Sequence, residues 1–117
     1  MDLLSENING TEGSFYERLS EEGYFDQSLF AELILFIDNL NNMELDNNDR
    51  LKKSTELWHL AYQIQSSLGY NYNENDGFQI DNMEEEKLIE IGQVLEYICK
   101  SFTENKQLDM DFINEMT

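Results

Sequence analysis

The side chains that most often carry acid–base or nucleophilic chemistry are scarce here: His59 is the single histidine and Cys99 the single cysteine. A zinc site needs further His or Cys ligands that the chain cannot supply. A Ser–His or Cys–His pair would have to join His59 to a distant partner, and no nucleophile motif supports one. On a helix, His59 has Glu56 three residues before it and Gln63 four after it, the setting of a packing or surface residue. Cys99, between Ile98 and Lys100 on an apolar stripe, reads as an inert core thiol. The loop from Asn71 to Met83 has Asn, Glu and Asp ahead of Gly77, as an EF-hand does. With Gly77 in the sixth position, however, the first is Tyr72 and the twelfth Met83, so the first ligand and the bidentate Glu are both missing. There is no glycine-rich phosphate loop, and 117 residues with little strand pattern leave no cleft for a pair of catalytic carboxylates. No catalytic residue, metal site or cofactor is assigned, and the chain is not expected to be an enzyme.

The chemistry that remains is charge. Twenty-five Asp and Glu face seven Lys and Arg, a formal net of -18. A folded chain with that excess repels itself, draws basic partners, and repels nucleic acid and anionic membrane. The field is uneven. Residues 1–49 carry twelve acids against Arg18 alone, net -11, whereas residues 50–69 carry Arg50, Lys52 and Lys53 against Glu56, net +2. Residues 70–90 carry seven acids against Lys87, net -6, with Tyr70, Tyr72 and Phe78 interleaved. Aromatic anchors and steering carboxylates therefore coincide, and Tyr70, Tyr72, Glu74, Asp76, Phe78, Asp81, Glu84 and Glu85 form the candidate partner-binding surface. The competing reading makes the aromatic rings a lid on the core and Glu84 to Glu86 a solvated first helical turn serving the helix dipole.

These residues need elements to position them. With 40% apolar and 12% aromatic residues the chain is too hydrophobic for an acidic disordered segment, and it should fold around one core. Proline is absent and the glycines fall mostly between periodic stretches, which points to helices. Residues 1–13 read as an irregular lead-in whose Leu3, Leu4 and Ile8 could still dock, and residues 14–117 as a single helical domain. Ser14 and Glu17 have the spacing of a capping box, opening a short helix that stops at Gly23. Asp26 caps a second helix, to about Asn41, whose stripe of Leu29, Phe30, Leu33, Ile34, Phe36, Ile37 and Leu40 makes it the expected core. A third runs from near Asn48 to Leu68 with Gly69 as its cap, and a stripe that includes Leu51, Leu57, Trp58, Ala61 and Ile64. A fourth starts after Asp81 or Asn82 and ends near Thr103, burying Leu88, Ile91, Val94, Leu95, Ile98, Cys99 and Phe102. In it Gly92 either costs helix stability or permits a close helix contact. A last short helix over Asp109–Glu115 offers Met110, Phe112, Ile113 and Met116 as a terminal latch. The fold class is thus all-α, a compact bundle of four to five helices, with a small hairpin admitted near residues 70–80. The start lacks a secretion signal, no apolar run could span a bilayer, and one cysteine allows no intrachain disulfide, so a soluble, cytoplasmic protein is expected.

A small, acidic, helical chain without a catalytic set that gathers Tyr70, Tyr72, Glu74 and Asp76 resembles the helical immunity proteins of bacterial toxin systems. These include proteins that neutralise nuclease colicins and contact-dependent inhibition toxins. The resemblance implies a stoichiometric inhibitor, monomeric in a 1:1 complex, whose carboxylates occupy the basic groove through which a toxin nuclease holds its phosphate backbone. It would touch neither nucleic acid nor membrane itself. The alternative is a phage-encoded DNA mimic or anti-defence protein that blocks a host nucleic-acid-binding enzyme with acids set in a row like phosphates. An adaptor that docks a partner helix would instead show an exposed groove.

Overall fold

Short acidic and hydroxyl side chains set the helix starts. In the computed structural model, which describes residues 2–70 and 80–117 (Tyr70 by its backbone alone), six helices are seen: α1 (Leu3–Ile8), α2 (Phe15–Glu22), α3 (Gln27–Asn41), α4 (Asn47–Tyr70), α5 (Glu85–Thr103) and α6 (Met110–Met116). Asp2 caps α1 by accepting from the Ser5 amide at 2.8 Å, Asp26 caps α3 through Leu29 at 3.0 Å, and Asp109 caps α6 through Phe112 at 3.1 Å. Asp46 receives the Asp49 amide at 2.7 Å at the start of α4. Each satisfies an amide that the first helical turn leaves without a partner. Ser14 caps α2 through Glu17, as expected, but Glu17 reaches back to the Gly13 amide at 3.3 Å, because the Ser14 amide already bonds Thr11.

The all-α class holds, and no strand occurs among the described residues; the hairpin admitted near 70–80 falls outside them, apart from the helical Tyr70 and from Ile80, which lies in no regular element. The helix count is higher than expected because the supposed irregular lead-in contains α1. Its Leu4 is buried, and so is Asn7, whose Nδ2 donates to the Leu3 carbonyl while its Oδ1 accepts the Tyr16 amide at 2.9 Å. One asparagine thereby ties α1 to the open N-terminus of α2.

The buried side chains form one cluster. The longest buried stripe belongs to α5 rather than to α3: Leu88, Ile91, Val94, Leu95, Ile98, Cys99 and Phe102 lie against Leu57, Leu60, Ala61, Ile64 and Leu68 of α4. The pair is antiparallel, since Ser54 bonds Thr103 near one end and Gln65 donates to the Gly92 carbonyl toward the other. Helix α3 adds Phe30, Leu33, Ile34 and Ile37, and α6 closes on α5 through Ile113 and a Tyr97–Phe112 ring contact at 4.9 Å. Arg50 joins three helix ends, donating to Asn41 Oδ1, the Asn41 carbonyl and the Phe102 carbonyl at 2.9 to 3.1 Å.

Several expectations are corrected. Gly69 does not cap α4, which continues through it to Tyr70. Leu51 and Trp58 are 67% and 42% exposed, because 57, 60, 61, 64 and 68 already fill the inward face of α4. Neither Asp81 nor Asn82 caps α5; the N-cap is Glu84, without a side-chain bond, since Asn82 is engaged elsewhere. A Cβ on Gly92 would meet nothing within 4 Å, so no close helix approach explains that glycine.

Candidate protein-interaction surface

The chain turns between α2 and α3 at Gly23, whose left-handed backbone (φ 65°) suits a residue without a Cβ. Behind the turn, Phe15, Phe25 and Phe30 pack mutually with ring centroids 5.0 to 5.1 Å apart, which fixes the junction to the core. The segment entering α5 is clamped onto the same junction. The Asp81 amide donates to the Gly23 carbonyl at 3.1 Å. The Asn82 side chain accepts the Phe25 amide at 2.9 Å and donates to the Phe25 carbonyl at 2.8 Å, so one side-chain amide imitates a strand partner. Ile80 is buried beside this clamp.

The clamp gathers acids from two distant stretches of sequence. Glu21, Glu22 and Asp26 come from the α2–α3 side, and Asp81, Glu84, Glu85 and Glu86 from the entry to α5. Arg18 bonds Glu22 at 2.8 Å and also pairs with Asp26. The hydrogen bond to Glu22, opposed by partial desolvation and aided by the fields of both carboxylates, raises the guanidinium pKa above its ordinary value. Its carbon lies 4.5 Å from the centre of the Tyr24 ring, which is 41% exposed. Arg18 thus holds an aromatic side chain outward in the middle of an acidic corner. Beside the corner a hollow of about 300 Å³ opens between α3 and α6, lined in part by Phe25, Phe30, Ile34, Met110 and Ile113.

Of the residues expected to bind a partner, Asp81, Glu84 and Glu85 stand in this corner and are exposed. Tyr70 is the last residue of α4, and Tyr72, Glu74, Asp76 and Phe78 lie outside the described residues. Sequence reasoning missed Tyr24 and the acids of α2. The available signal was Gly23-Tyr24 directly behind a capped helix, an aromatic residue on a tight turn. His59 is exposed on α4. Cys99 is buried, and desolvation, with the field of Glu96, pushes its pKa up to about 12. Among the described residues no three His, Cys, Asp or Glu side chains come together in a metal-binding group, and no helix is long and apolar enough to cross a membrane. The corner can therefore offer carboxylates, one fixed tyrosine and an apolar recess to another molecule. No protein-family model, no curated protein and no solved structure matches the chain.

Proposed function

We propose that this chain is a stoichiometric inhibitor of the immunity-protein type, which binds a basic bacterial toxin, a nuclease domain, and neutralises it by occlusion rather than by catalysis. The observation that carries the reading is the clamp at Gly23–Phe25, which brings residues 81–86 onto the acids of α2 around the outward-held Tyr24. A rigid aromatic anchor ringed by carboxylates favours a partner rich in Lys and Arg, because the charges steer the encounter and the prefixed ring loses little entropy on docking. The neighbouring apolar recess gives one partner side chain a place to enter. The binder acts as a monomer in a 1:1 complex in the cytoplasm, contacting neither nucleic acid nor membrane. A phosphate-mimicking protein would need its acids in an extended row, whereas these are grouped about a tyrosine, which favours the inhibitor over the DNA mimic.

The test is affinity capture from the native host beside a variant carrying Glu21→Lys, Asp81→Lys and Glu84→Lys. The intact chain should retain one basic protein in equimolar amount, with an association rate that falls steeply with ionic strength, and the variant should lose it. Recovery of nucleic acid alone, of nothing basic, or of a partner whose association ignores salt would remove the proposal.

A further inference from the structure

A hollow of about 240 Å³ lies where the loop between α1 and α2 meets α3. Leu3, Phe15 and Leu29 give it an apolar lining, and Glu6, Glu12 and Glu32 a charged one. It stands at the start of α2, the opposite end of that helix from the acidic corner. The chain's own bonds shape its wall. The Thr11 amide donates to the Glu6 carbonyl and the Ser14 amide to the Thr11 carbonyl, each at 3.0 Å, while Asn7 ties α1 to α2 through the Tyr16 amide. Glu17 adds a fourth carboxylate at the margin, reaching the Gly13 amide at 3.3 Å. Ser14, 7% exposed, lines the same wall; its hydroxyl accepts the Glu17 amide and has a second lone pair for another donor.

These carboxylates have no counter-charge among the described residues. No Lys or Arg lines the hollow, and Glu6, Glu12, Glu17 and Glu32 are in no ion pair with a described residue. Arg18, one turn along α2 from Ser14, is taken by Glu22 and Asp26, and Lys53, which reaches α1 at Asp2, is shared between Asp2 and Glu56. Carboxylates around an apolar floor, in a chain of net -18, favour a cation that has methylenes to bury. A metal ion does not fit, since among the described residues no three His, Cys, Asp or Glu side chains converge as its ligands. One lysine-like ammonium would leave most of these separated acids uncompensated. A run of methylenes carrying several ammonium groups meets both needs. We infer that the hollow is a binding site for an aliphatic polyamine, whose methylenes lie on Leu3, Phe15 and Leu29 and whose ammonium groups pair with Glu6, Glu12 and Glu32.

The probe is spermidine, titrated calorimetrically into the full chain at about 0.15 M salt, where exposed charges further apart than about 8 Å are screened from one another. It should saturate at one equivalent and move the methyl signals of Leu3 and Leu29 in NMR spectra. Glu6→Gln with Glu32→Gln should weaken binding about 10-fold or more, whereas Glu44→Gln with Glu115→Gln, which removes the same charge away from both the hollow and the acidic corner, should not. None of the four side chains is in the core or in an ion pair with a described residue, so the substitutions spare the fold, which circular dichroism checks. Butylamine, with a single ammonium, and magnesium chloride, with no methylenes, should each fail to displace spermidine at equal concentration. The absence of saturable binding, binding at many equivalents, equal loss in both variants, or displacement by butylamine or magnesium would overturn the proposal.

Discussion

Arg50 shows how much one side chain can decide. The ends of α3 and α5 leave carbonyls without helical partners, and the dipoles there favour a cation. Arg50 meets both needs with one planar group, and its guanidinium carbon also lies 4.8 Å from the centre of the Phe102 ring. Arg50→Met strands both oxygens of Asn41 and takes one of its donors from the Phe102 carbonyl, which the Asn105 amide still reaches at 3.1 Å, and should lower the unfolding free energy by about 2–3 kcal/mol in urea titrations. Arg50→Lys should not restore it, because an ammonium cannot address diverging carbonyls as a fork does. Gly92 is the opposite case. With free space where its Cβ would stand, Gly92→Ala should raise stability by about 0.5–1 kcal/mol, read as a higher thermal midpoint. A lower midpoint would mean that the Gln65 bond to the Gly92 carbonyl depends on the glycine backbone.

The helices are held to one another by side chains reaching across to backbone, and two such ties can be tested. Asn82→Ala leaves the amide and carbonyl of Phe25 without partners, and should cost about 1–2 kcal/mol. It should also speed hydrogen exchange at Phe25 far more than in the middle of α5. Unchanged exchange there would show that the three phenylalanines suffice to hold the corner. The second tie joins α1 to α4 through Lys53, which lies 3.1 Å from Asp2 and 3.3 Å from Glu56. Burial pushes the Asp2 carboxyl up, but bonds from the Ser5 amide and Lys53 outweigh it, and the net shift is down. The hydrogen bond to Asp2 outweighs desolvation at Lys53 and raises its pKa. A depressed carboxyl contributes above its unfolded pKa and loses that contribution as pH falls through the folded value. A raised amine contributes below its unfolded pKa and loses it as pH climbs through the folded value. The tie should therefore stand between about pH 4 and pH 10.5, the ordinary values of the two groups. Amide exchange in α1 should rise outside that window in the native chain, and should be insensitive to it in Asp2→Asn.

For the molecule as a whole, the acidity is only partly structural. Asp2, Asp26, Asp46 and Asp109 cap helices, whereas Glu12, Glu21, Glu32 and Glu44 are exposed and in no ion pair with the described residues. The radius of gyration is 14.0 Å. At about 0.01 M salt the screening length, roughly 30 Å, exceeds that size, so every carboxylate feels the others; at 0.15 M it shrinks to about 8 Å. Raising sodium chloride across that range should therefore raise the thermal midpoint. A midpoint indifferent to salt would mean that the excess charge does not burden the folded state. Binding of a basic partner at the acidic corner should produce the same stabilisation at low salt without added ions.

Much of the helix pattern was readable along the chain. The limits of α2 and α3 followed from Ser14, Gly23 and Asp26, because caps and left-handed stops are local chemistry. The inert setting of Cys99 followed from the apolar stripe around it. Helix α1 did not, because what steadies six residues is the burial of Leu4 and the reach of Asn7 to α2, neither of which is visible in a short irregular-looking stretch. Nor could periodicity tell which flank of α4 would be left outside, since Leu51 and Trp58 keep helical spacing as well as the core residues do, and only the seating of α5 decides. The acidic segment over residues 70–90, of which Asp81 to Glu86 reach the corner, was recognisable from composition. Its pairing with Tyr24 and the acids of α2 was not, because residues about 57 positions apart meet only through the Asn82 clamp. Local hydrogen bonding and periodic burial are written into neighbouring residues; the faces a helix leaves open, and the charges brought together there, are properties of how the helices pack.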